Sequence, residues 1–257
     1  MIKVLVNGAF GRMGSEVVRM VTANPELELT GGVDINAAGK TLPDGKPVFT
    51  NIGEALEVVK PDVVVDFTRP DVVMDSLRII LKKGIRAVVG TTGFTPERLA
   101  EVKELAEANN TAALIVPNFA LGAVVMIKLA AEAAKYFKDV EIIEKHHDQK
   151  LDAPSGTAIL TAQKIGEVRE AHKQGHPNER ETLAGSRGGD IDGIRIHSMR
   201  LQGYVASQEV VFGSQGETLK IINDTINREC YMPGVAMACK KIGSRQGLVY
   251  GLDQILD

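Results

Sequence analysis

A chain of 257 residues, 44% hydrophobic and 25% charged, has the makeup of an ordinary globular protein with room for one large domain or two modest ones. It has no tryptophan, 4% aromatic residues and a net charge of −3, so it lacks the stacking platforms and the basic block that nucleic acid or an anionic membrane surface requires. No apolar run approaches the ~20 residues of a membrane span and no signal-peptide pattern opens the chain, so a cytoplasmic protein is expected.

The first half alternates two patterns. IKVLVNG (2–8) is a β-branched run ending in glycine, the mark of a strand buried on both faces. RMGSEVVRMVTANP (12–25) has helical spacing at Met13, Val17, Met20 and Val21, and Pro25 marks its end. LELTGGVD reads as a strand, IGEALEVVKP as a helix, DVVVDFT as a strand and VVMDSLRIILKKG as a helix. IRAVVGTTG is another strand, and TPERLAEVKELAEANN is a helix opened by a threonine cap with proline at its first position. TAALIVPN closes the series, and strand–helix repetition of this kind predicts a doubly wound α/β domain with a parallel sheet.

After about Asn118 the pattern changes. VMIKLAAEAAKYF reads as a helix, DVEIIEKHH as a strand, and residues 157–173 as a second helix after a Pro-Ser-Gly-Thr turn. A polar loop (174–190) precedes three strand-like runs, GIRIHSMRLQ, ASQEVVFGSQ and ETLKIINDTIN, with no helices between them, which favours a mixed or antiparallel sheet. YMPGVAMACKKIGS returns to helix. The expected organisation is a parallel-sheet domain of residues 1–118, completed by 231–257, with an inserted α+β domain of residues 119–230. Cys230 and Cys239 form neither a disulfide framework nor a zinc pattern and read as reduced thiols.

Gly8, Gly11 and Gly14 lie in VNGAFGRMG, after the first strand and at the start of the first helix. Glycines there let backbone N–H groups approach a pyrophosphate at the helix N-terminus. The G-x-x-G-x-x-G spacing is a weak signal alone, and its strand–helix context makes it a dinucleotide loop. Asp34 follows roughly 20 residues later, where a carboxylate accepts from the adenosine ribose hydroxyls and favours NADH. Arg12 inside the loop could instead pair with the 2′-phosphate of NADPH, but Ile35, not a base, follows Asp34. FTRP (67–70) and GTTG (90–93) each end a strand, where ligands of open parallel sheets lie.

EKHHDQKLDAPSGTA (144–158) holds two of the five histidines side by side. As metal ligands the pair lacks clustered Cys, Asp or Glu partners, and a satisfied structural pair is the plainer alternative. A third reading uses the lysine. His146 can deliver a proton near neutral pH, His147 and Lys150 add positive charge, and the Ser155–Gly156–Thr157 turn offers successive N–H groups at a helix start. That set suits a small dianion that must also be protonated. Beside a nicotinamide domain it implies hydride addition completed by proton transfer.

GAFGRMG, DFTRP, GTTGF, VPNFALG, EKHHDQKLDAPSGTA, HSMRLQG and QEVVFGSQGETLKI occur in that order over nearly the whole chain. In this the sequence resembles the dihydrodipicolinate reductase family, for which HHxxKxDAPSGT is highly specific. The resemblance implies a Rossmann-type domain plus an insert whose sheet builds a homotetramer. It implies NAD(P)H-dependent reduction of 4-hydroxy-tetrahydrodipicolinate to tetrahydrodipicolinate with loss of water, in the diaminopimelate route to lysine. It assigns proton transfer to His146 and Lys150 and the grip on the dicarboxylate substrate to His147, Ser155, Gly156 and Thr157. It assigns cofactor contacts to Gly8, Ala9, Phe10, Gly11, Arg12, Met13, Asp34, Gly90, Thr91, Thr92, Val116, Pro117, Asn118 and Phe119. No metal is implied. One departure is Asn223, where many relatives carry histidine. A thiol-dependent aldehyde dehydrogenase needs a cysteine after the nucleotide domain, and both thiols lie in the terminal segment. A dinucleotide-binding redox sensor would leave the HHxxK set without use.

Overall fold

A computed structural model describes residues 1–37 and 40–256; Ala38, Gly39 and Asp257 lie outside the described residues. By internal contacts the chain divides into two compact units, Met1–Ala120 with Arg228–Asp257, and Leu121–Asn227.

The first unit runs β1 (Ile2–Asn7), α1 (Arg12–Ala23), β2 (Leu27–Val33), β3 (Val48–Phe49), α2 (Ile52–Val59), β4 (Val63–Asp66), α3 (Val73–Lys82), β5 (Arg86–Val89), α4 (Pro96–Ala108) and β6 (Ala112–Ile115). After the second unit the chain returns to it with α7 (Met232–Lys241) and β12 (Gly247–Tyr250). The seven strands form one parallel sheet in the order β12-β6-β5-β4-β1-β2-β3. The chain steps outward from β1 to β3 and then crosses to β4 on the other side of β1. The switch point therefore lies between β1 and β4, where the loops leaving the strand ends diverge and open a crevice.

The local signals explain these elements. Every residue of β4 and β6 is buried, as expected of strands covered on both faces. The Asn51 side chain caps α2 by accepting from the Glu54 N–H at 3.1 Å, and Thr95 caps α4 by accepting from Arg98 N–H, with Pro96 in the first turn. Leu77, Ile80 and Leu81 of α3 pack fully buried with Val64, Ala87 and Val89 of the sheet. Two short strands lie outside the sequence expectation, β3 and β12. Two and four residues are too few to show a period, and pairing with β2 and β6 makes them strands.

The second unit runs α5 (Leu121–Ala133), β7 (Asp139–His146), α6 (Gly156–Gly166), β8 (Gly189–Ile191), β9 (Ile194–Arg200), β10 (Ala206–Ser214) and β11 (Glu217–Thr225). Its sheet, in the order β11-β10-β7-β9-β8, is mixed: β7 and β9 are parallel and the other pairs antiparallel. One face packs on the helices, with Val140, Ile142, Ile196, Val210 and Phe212 against Met126, Ala130, Ala162 and Ile165. By strand alternation the other face carries Ile143, Met199, Val211 and Ile222.

One element is corrected. The helix expected over 157–173 ends at Gly166. Beyond it the side chains are drawn to the start of β7: Arg169 donates to the Lys138 and Asp192 carbonyls, the His172 ring meets Asp139 at 2.7 Å, and Gln174 accepts from Val140 N–H. Tertiary partners override a helix-compatible sequence. The long polar loop is organised around Arg187, which ion-pairs with Glu141 and Glu179, while Glu181 accepts from the Gly185 and Arg187 N–H groups.

Candidate active site

Two clusters of functional side chains arise, one in each unit. In the first unit a cleft of ≈ 660 Å³ opens along the carboxyl ends of β1 to β5. Gly8, Gly11, Arg12 and Met13 line it after β1, Asp34 after β2, Phe67 to Pro70 after β4, and Gly90, Thr91 and Thr92 after β5. Gly8 has φ +83°, and a Cβ there would lie 2.6 Å from the Phe67 carbonyl oxygen, so only glycine makes this turn. A Cβ on Gly14 would strike the Gly8 carbonyl, which lets the helix start close against the loop. No side chain caps α1 at Gly11, which leaves the first-turn N–H groups directed at the cleft for an anion. Asp34 accepts from Phe10 N–H at 3.0 Å and from Asn36 N–H at 2.8 Å, bracing the loop against the end of β2. These features fit a dinucleotide, with its pyrophosphate at α1 and a ribose near Asp34.

Ala9 is buried and Phe10 half-buried behind the loop. Val116, Pro117, Asn118 and Phe119 follow β6 and do not line the cleft. Val116 and Phe119 are buried, and the Phe119 ring packs on the cleft residue Phe67 with centroids 5.6 Å apart. The Asn118 side chain accepts from Ala120 N–H at 2.9 Å.

At the end of β4 stands Asp66, 0% exposed. Its carboxylate accepts from Asn7 Nδ2 at 2.7 Å, Thr68 N–H at 3.0 Å, Thr68 Oγ1 at 2.7 Å and Thr91 Oγ1 at 2.9 Å. One carboxylate thus ties together the ends of β1, β4 and β5, and three of the residues it holds line the cleft. Burial pushes its pKa up, against the bonds from Thr68, Asn7 and Thr91. Asp66 opens the DFTRP motif, but the sequence reading gave a place in the site only to Phe67 to Pro70.

In the second unit β7 delivers His146 as its last residue, and the chain leaves the strand at His147, which is exposed. The Lys150 N–H returns to the His147 carbonyl at 3.3 Å, and the Lys150 ammonium pairs with Asp152 at 2.6 Å. Ser155 caps α6: its hydroxyl accepts from Ala158 N–H at 3.2 Å, so its side chain is buried in the helix start. Gly156 and Thr157 form the first turn. A Cβ added at Gly156 meets nothing within 4 Å, so no neighbour in the protein demands glycine there.

Glu144 joins these pieces, with its side chain 0% exposed. Arg200 at the end of β9 grips it with both terminal nitrogens, at 2.8 and 2.9 Å, Ser155 N–H reaches it at 3.3 Å, and His146 Nδ1 hydrogen-bonds to its Oε2. Arg200 also donates to the Asp152 carbonyl at 2.7 Å. Burial raises the Glu144 pKa, but hydrogen bonds from Arg200, Ser198 and His146 outweigh it and hold the carboxyl below its usual range. His146 lies below the usual imidazole value, chiefly from burial. Sequence reasoning missed both Glu144 and Arg200. Asn223 lies opposite Gln208 on β11, and a Cβ on Gly122 would meet its amide, so it packs against the start of α5.

Comparison with known proteins bears on the whole chain. Residues 2–119 match the family described as dihydrodipicolinate reductase, N-terminus, and residues 122–256 the one described as dihydrodipicolinate reductase, C-terminus. The chain is 50% identical over 263 aligned residues to the 4-hydroxy-tetrahydrodipicolinate reductase of Geobacillus thermodenitrificans, covering 100% of this chain and 99% of that one. It is 49% identical to the enzyme of that name from Listeria monocytogenes, with both chains covered in full. The solved structure of a dipicolinate-bound dihydrodipicolinate reductase from Paenisporosarcina sp. TG-14 superposes with a TM-score of 0.93 at 46% identity, covering 100% of each chain.

Proposed function

The chain belongs to the dihydrodipicolinate reductase family, and from that premise we propose that it reduces 4-hydroxy-tetrahydrodipicolinate to tetrahydrodipicolinate with loss of water, using NADH in preference to NADPH. The reaction is an NAD(P)H-dependent step of the diaminopimelate route to lysine. When bound, the reduced nicotinamide supplies the hydride. Gly8 to Met13, Asp34 and Gly90 to Thr92 hold the dinucleotide, and Val116 to Phe119 support it from the end of β6. Ile35 after Asp34 offers no cation to a 2′-phosphate, which is the ground for the NADH preference.

The second unit holds the dianion and moves the proton. The N–H groups of Gly156 and Thr157 and the side chain of His147 receive the substrate carboxylates, with Ser155 fixing the helix start. Orientation in that cradle supplies much of the rate. His146 protonates the ring, and the Lys150 ammonium assists and favours the dianion electrostatically. One observation carries this reading: His146 and the start of α6 meet a single buried carboxylate, Glu144, and Arg200, which grips that carboxylate, also holds the Lys150 loop through the Asp152 carbonyl. Convergence of that kind aims a proton donor and an anion cradle together.

Among the described residues no helix is long and apolar enough to cross a membrane, in keeping with a cytoplasmic enzyme. The outer face of the second sheet sets Ile143, Met199, Val211 and Ile222 among charged residues, and the homotetramer is proposed from the family alone. Light scattering should return four times the chain mass, and a monomer would remove that assignment. The activity itself is tested by adding the condensation product of pyruvate and aspartate semialdehyde. Steady NADH oxidation is expected; none at any substrate concentration would leave only a dinucleotide-binding protein.

A further inference from the structure

Glu144 and Arg200 have no part in the contacts assigned above, yet both lie against the proton donor. From their geometry we infer that Glu144, clamped by Arg200, is a positioning residue that fixes His146 with its proton on Nδ1 and keeps Nε2 as the atom that exchanges a proton with substrate. The inference rests on the reading of His146 as proton donor.

The argument begins with what each group can do. An ionised carboxylate only accepts, and a guanidinium only donates. Both terminal nitrogens of Arg200 point at Glu144, one toward each oxygen, and Ser155 N–H adds a third donor. A fork–fork pair of this kind fixes the plane of the carboxylate and keeps it charged. The ring nitrogen that meets Glu144 is Nδ1, so Nδ1 must donate, and in the neutral ring Nε2 is left as the acceptor.

Charge balance at the ring leads to the same residue. Burial, Lys150 on the following loop and Arg200 on β9 all push the proton off His146, and only Glu144 opposes them. Asp152 is engaged by the Lys150 ammonium and gives its carbonyl to Arg200. Ala206, opposite His146 on β10, brings no charge. Without Glu144, every remaining influence would make His146 a poorer base for collecting its proton. Arg200 contributes a second way, because its hydrogen bond to the Asp152 carbonyl holds the loop that carries Lys150.

The test uses the full chain with ¹⁵N-labelled histidine. The His146 signals are identified by their loss in His146→Gln. In the unliganded parent above the ring's pKa, the expected pattern is a protonated Nδ1 and a bare Nε2. In Glu144→Gln the amide NH₂ turns to the ring while its oxygen stays with Arg200, so the proton is expected to move to Nε2. Turnover should fall by about 10²-fold, the range of a lost partner behind a functional histidine, with the KM for NADH within a few-fold of the parent. The limb of the kcat profile that falls at high pH should move to lower pH. A parent ring protonated on Nε2 overturns the inference, and so does an unmoved limb in Glu144→Gln. Should that variant not fold, the parent tautomer decides alone. The tautomer is read without substrate, so a protonated Nδ1 in a protein that reduces nothing would remove the assigned reaction and leave the Glu144–His146 pair standing.

Discussion

Among the described residues each unit buries one carboxylate completely near the carboxyl end of a strand, and the two are treated in opposite ways. Asp66 at the end of β4 is surrounded by neutral donors, an amide, two hydroxyls and a backbone N–H. Glu144 on β7 is gripped by a guanidinium and touches an imidazole. Burial raises both, but in Asp66 the neutral bonds fail to offset it, and in Glu144 the bonds from Arg200, Ser198 and His146 reverse it. The difference separates two uses of a buried acid. Asp66 ties together three loops that line the cleft, and on the proposed reading Glu144 is a counter-ion that sets the state of the His146 ring.

The largest effect should come from removing the charged tie. Glu144→Leu leaves Arg200 without its anion, and breaking a buried ion pair from one side costs about 3–5 kcal/mol. Urea unfolding measures it; a loss no greater than that of Asp66→Asn would erase the distinction between the two acids. Lys150→Ala sharpens the comparison from the catalytic side. Its ammonium pairs with the exposed Asp152 side chain, a kind of contact worth little to stability. Turnover should nevertheless fall about 10²-fold or more, the range for a lost proton donor. Turnover within a few-fold of the parent would remove Lys150 from the chemistry.

Asp66→Asn ranks next. The new amide can still accept from Thr68 and Thr91 through its oxygen, but its NH₂ then faces the Asn7 NH₂, donor against donor. One unmade buried bond of this sort costs about 1–3 kcal/mol. The three cleft loops should loosen together, so the KM for NADH should rise while turnover at saturating cofactor stays near the parent. Isothermal titration with NADH checks it, and unchanged affinity would show that Asp66 is a core residue with no bearing on the cleft.

How far these acids were legible in the sequence differs for physical reasons. The strands β1, β4 and β6 announce themselves because both faces are buried, and α4 because its threonine cap and proline are local signals. The HHDQK set is local too. Glu144 stands two residues before His146, so strand alternation puts the two on one face; that signal was present and unused. Arg200 is 56 residues from Glu144 in sequence, and only the parallel register of β7 with β9, which sets His146 opposite Arg200, brings it near. Nothing in one sequence specifies that pairing. The early end of α6 was hidden for the same reason, since Arg169, His172 and Gln174 find their partners at the start of β7.

The smallest effect, and the one most particular to the comparison, is in how the two substitutions depend on pH. A carboxyl whose folded pKa is raised binds its proton more tightly in the folded state, so Asp66 contributes stability that is present below its unfolded pKa of about 3.9 and lost as pH rises through the folded value. Glu144 is depressed, so its contribution is present above about 4.3 and lost as pH falls through the folded value. Asn and Gln at these sites do not titrate. The stability gap between the parent and Asp66→Asn should therefore narrow as pH rises above about 3.9, and the gap to Glu144→Gln should widen as pH rises toward about 4.3 and stay level above it. Urea midpoints from strongly acid to neutral buffers should give a gap that grows with pH only below about pH 4.3 for Glu144→Gln and one that shrinks only above about pH 3.9 for Asp66→Asn. Gaps that change in the same direction with pH would mean that the neutral donors around Asp66 and the cations around Glu144 do the same electrostatic job, and the contrast between tie and counter-ion would fail.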